Sequence, residues 1–110
     1  MFTKFYDMNS GGKRKEKYKI IFIEAPEEVA KVVFYNRFGH NPDRITCTCC
    51  GEDYSIYEYD DLLAGTEYYK KTAALSDFLH RDDVLVICQE DISDSDKAGE
   101  VPSQGYVWID

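Results

Sequence analysis

Cys47, Cys49 and Cys50 crowd into four consecutive positions, in the run Cys47-Thr48-Cys49-Cys50-Gly51. The only other cysteine of the 110-residue chain is Cys88, in the segment DVLVICQ. Three chemistries compete for such a cluster: a metal, a disulfide or a reactive nucleophile. The C-x-x-C-G spacing brings two sulfurs round one side of a tight turn. Backbone N–H groups in a turn of this kind point at thiolates and offset their charge. Gly51 supplies the positive φ that the turn needs. Zinc takes four tetrahedral ligands, and the knuckle offers Cys47 and Cys50. Cys49 inside the turn is a natural third ligand, and Cys88 is the remaining thiol and the obvious fourth. His80 and His40 stand in reserve for the fourth position, which stays open among these residues. The bland alternative is four reduced cysteines that simply pack, and it has equal standing for Cys88, which alternates with Val84 and Val86. A vicinal Cys49–Cys50 disulfide is strained, and stable disulfides are rare in a reducing compartment.

Catalytic constellations are thin. A thiolate–histidine pair would serve as nucleophile and base, but nothing beyond proximity along the chain sets His40 or His80 beside Cys49. A zinc deaminase needs H-x-E upstream of P-C-x-x-C, whereas His40 is followed by Asn41 and Pro42. H-E-x-x-H and G-x-x-x-x-G-K are absent. Asp94-Ser95-Asp96 is a faint echo of a calcium loop, but Gly105 stands where the loop's closing glutamate would be. Four thiols on zinc leave no open coordination position, so the site is expected to be structural and the chain not an enzyme. For the histidines the ordinary expectation is a capping or surface role.

The elements that must position these residues follow from periodicity. Strands are expected over Phe2–Met8 and over Tyr18–Ala25, the latter apolar on both faces and so central in its sheet. Between them runs NSGGKRKEK, a basic, glycine-bearing hairpin loop. Pro26 opens a helix with Glu27 and Glu28 in its first turn and Val29, Ala30, Val32, Val33 and Phe34 on a broad buried side. Gly39 caps it. Short strands over Ile45–Thr48 and Tyr54–Tyr59 flank the cysteines. A second helix over Thr66–His80, a strand over Asp83–Gln89, the loop EDISDSDKAGE and a last strand over Tyr106–Ile109 complete the order. The expected fold class is α+β: one domain over residues 1–110, with an antiparallel or mixed sheet of about five to six strands and two helices packed on it. A zinc-knuckle hairpin is placed at 45–56 and an acidic flexible loop at 90–103.

Length admits one domain with a modest core. No apolar run is long enough to span a bilayer, and MFTKFYDMNS lacks the pattern of a signal peptide, so a cytoplasmic location is expected. The formal charge of −8 is uneven. Residues 1–51 hold nine Lys/Arg against six Asp/Glu, while residues 52–110 hold four against fifteen, a balance of −11. Phosphate is repelled by such a surface, so direct DNA binding is not expected. A basic groove on another protein attracts it, and the bland alternative is a solubilising face. The one positive patch, Lys13-Arg14-Lys15-Glu16-Lys17, is short.

The stretch Ile45-Thr-Cys47-Thr-Cys-Cys50-Gly-Glu-Asp-Tyr54-Ser-Ile56, with IFIEAPEEVAKVVFYNRFGHNP before it, resembles a group of small phage proteins with a C-x-C-C-G-x-D-aromatic-S-I segment after a strand–helix unit. Within that group the chain is similar to zinc-containing type II-A anti-CRISPR proteins, inhibitors of Cas9. The likeness covers roughly residues 18–56. It implies a non-enzymatic binder in the bacterial host cell that docks on Cas9 and prevents target DNA loading, with a structural zinc on Cys47, Cys49, Cys50 and Cys88. Cas9 holds its heteroduplex in a positively charged channel, so the candidate contacts are carboxylates: Glu58, Asp60, Asp61 and Glu67, then Glu90, Asp91, Asp94 and Asp96. The alternative is a small zinc-binding phage regulatory or nucleic-acid-interacting protein acting through the basic loop.

Overall fold

A computed structural model of the chain describes residues 1–9, 12, 16–43, 51–60 and 81–101. Strand β1 is Phe2–Asp7, β2 Ile20–Ile23, β3 Tyr54–Tyr59 and β4 Val84–Ile87, and helix α1 is Glu27–Phe38. The strands lie in the order β3-β1-β2-β4. β1 runs antiparallel to both β2 and β3, whereas β2 and β4 are parallel. The result is a compact α+β domain: a four-stranded mixed sheet with one helix packed on it.

The register puts Phe5 beside Ile21 on one side and Ile56 on the other, and Leu85 beside Ile21. These residues share the face that α1 covers. There Phe5, Ile21, Ile23, Val33, Phe34 and Tyr54 form the main core. Phe34 is its hub, with ring centroids 4.8 Å from Phe5, 4.8 Å from Phe38 and 5.2 Å from Tyr54. Ile20, Phe22 and Val84 form a second buried cluster on the opposite face. All four residues of β2 are therefore buried, as its two-sided apolar pattern requires.

Local sequence explains how α1 begins and ends. Pro26 precedes the helix instead of lying in its first turn; its φ of −59° is already helical, and its carbonyl accepts the Ala30 N–H at 2.8 Å. Gly39 adopts φ 77° and donates to the Tyr35 carbonyl at 2.9 Å, a left-handed cap. The buried stripe is narrower than the apolar run suggested: Ala30, Val33 and Phe34 are buried, and Val29 and Val32 only partly.

Three expected strands are shorter than their apolar patterns. The Phe2–Met8 strand ends at Asp7, where the Asp7 carboxylate accepts the Asn9 N–H at 2.8 Å and turns the chain. The Tyr18–Ala25 strand shrinks to Ile20–Ile23, because the Ala25 N–H turns back to the Ile23 carbonyl at 2.9 Å ahead of Pro26. Asp83–Gln89 shrinks to Val84–Ile87, since Gln89–Asp91 winds into a 3-10 turn. Tyr54–Tyr59 matches its expected bounds. Of the five to six strands and two helices expected, four strands and one α-helix lie among the described residues. The strands over 45–48 and 106–109 and the helix over 66–80 fall outside them. No helix among the described residues is long and apolar enough to cross a membrane.

Candidate functional site

Cys88 leaves the end of β4 in extended conformation, φ −81° and ψ 158°, and starts the 3-10 turn. That turn swings Glu90 and Asp91 back toward the thiol, so one sulfur and two carboxylates lie within 4.8 Å of one another. Glu24, at the end of β2, closes the arrangement from the neighbouring strand, accepting the Gln89 N–H at 2.8 Å. Partial burial pushes the Cys88 thiol up, and Glu24, Asp91 and Glu90 add to the rise by repelling a thiolate. Such surroundings oppose use of Cys88 as a nucleophile at neutral pH. A cation would reverse that penalty, and a thiol with carboxylates is a donor set zinc accepts. The set is not specific to zinc, because exposed carboxylates gather on many surfaces without an ion. Cys47, Cys49, Cys50 and His80 lie outside the described residues. Gly51, next to them, has the expected positive φ, 83°.

His40 is part-buried and packs against the core edge instead of standing free on the surface. Its ring meets Phe34 edge-on at 5.3 Å and stacks on Tyr54 at 6.1 Å, while Nε2 lies 3.2 Å from Glu16 Oε2. Asp7 and Asp53 are buried, and the Tyr54 hydroxyl has no hydrogen-bond partner among the described residues. Burial, helped by Asp7, Glu16 and Asp53, raises the Tyr54 phenol well above its usual value.

The candidate contact carboxylates divide into two kinds. Glu90, Asp91, Asp94 and Asp60 are exposed. Asp96 and Glu58 are engaged in holding the fold. Asp96 pairs with Arg37 at 3.0 Å and accepts the Ser93 N–H at 2.9 Å, and these contacts lower its carboxyl below the ordinary range. Glu58 Oε2 accepts the N–H of Glu27 at 2.7 Å, so a strand residue caps the N-terminus of α1. Asp61 and Glu67 lie outside the described residues.

The loop after the 3-10 turn is tied to α1. Asn36 donates to the carbonyls of Ser95, Asp96 and Ala98 at 3.3, 2.6 and 3.1 Å, and Arg37 donates to the Asp91 carbonyl. Periodicity did not single out Asn36, Arg37 or Glu24. Their only sequence signal is polarity at helix and strand ends, which fits many roles. Comparison of the chain with protein-family models, with curated proteins and with solved structures finds no match.

Proposed function

We propose that this chain is a non-enzymatic binding protein that presents an acidic surface to a basic, nucleic-acid-binding surface of another protein. Following the resemblance, that partner is Cas9, and docking keeps target DNA from being loaded. One observation carries the reading. Glu90, Asp91 and Asp94 are exposed on a segment hydrogen-bonded to a core helix, within the half of the chain whose balance is −11. Carboxylates held on an ordered platform lose little freedom on docking, which favours their use in binding. Their field steers a basic partner and repels free DNA.

A structural zinc would draw on Cys47, Cys49 and Cys50 to brace the turn ahead of β3; Cys88 does not fit that set, because the register sets the start of β3 and the end of β4 at opposite edges and opposite ends of the sheet. When bound, the ion supplies cross-linking and no reaction step. Cys88 sits instead with Glu90 and Asp91 at the end of β4, where Glu24 accepts the Gln89 N–H.

The test is charge reversal at Glu90, Asp91 and Asp94 together, with Asp96 left intact so that the loop stays attached. Affinity for Cas9 should drop at least tenfold at low salt, and the loss should shrink as salt rises. Unchanged affinity in the triple variant would place the interface elsewhere. Binding to free DNA that equals binding to Cas9 would favour the nucleic-acid alternative.

A further inference from the structure

Beside the acidic turn the surface is concave and apolar. A cleft of about 350 Å³ opens where the end of β2, the start of α1 and the segment after β4 meet. Met1, Ala25, Pro26, Val29 and Ile92 give it apolar walls. Glu24, Gln89 and Lys97 supply the polar part of the lining. Gln89 belongs to the same 3-10 turn as the exposed Glu90 and Asp91, so three carboxylates stand in or next to the cleft against one ammonium.

The walls are fixed from behind. Arg37 holds the Asp91 carbonyl and the Asp96 carboxylate, and Asn36 holds the carbonyls of residues 95, 96 and 98. Ile92 and Lys97 therefore ride on a segment anchored at both of its ends to one helix. Glu24 ties the opposite wall to Gln89 at 2.8 Å. Such a cleft is built before any partner arrives, so little ordering cost is added on binding.

We infer that this cleft receives a single aliphatic side chain from a basic segment of the protein partner, while arginines or lysines flanking that side chain meet Glu24, Glu90 and Asp91. The inference rests on the binding reading above and adds the chemistry of the bound segment. Charge complementarity selects the occupant: a purely apolar segment would leave the carboxylates unpaired, and an acidic one would be repelled. A buried apolar anchor within a charged rim is the usual arrangement of an interface hot spot.

The test uses two amidated pentapeptides, one with leucine centred between two pairs of arginines and one with alanine in place of the leucine. Amide chemical shifts of the whole chain are followed during titration. The leucine peptide should give saturable shifts at Val29, Ile92 and Lys97 and bind at least tenfold more tightly than the alanine peptide. Gln89→Trp, at an exposed position outside the core, should fill the cleft and abolish the difference while core resonances stay in place. Equal binding of the two peptides, shifts scattered over the exposed carboxylates, or no shifts at all would each overturn the inference. Separate failures are distinguishable. If the leucine peptide binds and Cas9 does not, the cleft stands and the Cas9 reading falls. If Cas9 binds the parent and Gln89→Trp equally, the cleft is not its contact and the Cas9 reading stands.

Discussion

Two carboxylates of similar sequence context, Asp94 and Asp96, have opposite duties. Asp94 is exposed, and Asp96 is bound to Arg37 and to the Ser93 backbone. The Arg37 hydrogen bond is the main cause that lowers the Asp96 carboxyl, and the Ser93 N–H adds to it. A depressed carboxyl contributes stability above its unfolded value, near 4, and loses it as pH falls through the folded value. The tie between the loop and α1 should therefore weaken in acid, below about pH 4, seen as reduced protection of the Asp96 and Lys97 amides, while the Asn36 bonds to the carbonyls of residues 95, 96 and 98 remain. Arg37→Ala should bring that loosening to neutral pH at a cost of about 1 kcal/mol, the range of an exposed ion pair with added hydrogen bonds. Retained amide protection in Arg37→Ala would show that the pair holds nothing. Cys88 gives a second residue-scale prediction. Its raised thiol should alkylate more slowly than an ordinary cysteine at about pH 8 in chelator-treated protein and accelerate as pH rises. Added zinc should block the reaction. Equal rates with and without zinc would show that Cys88, Glu90 and Asp91 hold no ion.

Helix α1 is fastened at both ends by groups from distant parts of the chain. Glu58 on β3 caps its first turn, and Asn36 and Arg37 in its last turn hold the loop after β4. Glu58→Ala should cost about 1 kcal/mol through the lost cap and the lost charge at the positive helix end. Gly39→Ala should cost a similar amount: the site has open space, but φ is +77°, so the penalty is backbone strain and not a clash. Thermal denaturation of the two variants checks both. These elements were readable, because the near-alternation in β1, the two-sided apolar run of β2 and the Pro26–Gly39 bracket around α1 are local signals. Strand ends were not, since the chain leaves the sheet through turns made by Asp7 and Ala25 while hydrophobicity continues. The parallel pairing of β2 with β4 was hidden for another reason. It joins residues more than sixty positions apart, and no short-range pattern encodes the partner. The same holds for the site: Glu58 reads as one acid among many until β3 sets it beside the helix start, and His40 reads as a loop residue until Phe34 and Tyr54 enclose it.

At the scale of the molecule, charge and packing separate in space. The Phe34-centred core lies between α1 and the sheet, while Glu90, Asp91 and Asp94 lie outside it beyond β4. Surface charge reversals should consequently leave melting unchanged within about 0.5 kcal/mol, whereas Phe34→Ala should cost about 3–5 kcal/mol by emptying the aromatic hub. The proposed zinc would add a further dependence. Cys50→Ser should lower stability by several kcal/mol and release the metal, because binding a structural ion is coupled to folding. A variant that melts like the parent and retains one zinc would exclude Cys50 as a ligand.

The most direct test of the account is binding of the purified chain to Cas9, with and without guide RNA, at low and high salt, with target DNA loading followed in the same samples. The account predicts a complex that weakens as salt rises and excludes target DNA, together with no affinity for the DNA alone. A chain that leaves DNA loading untouched and forms no complex with Cas9 at low salt would contradict it.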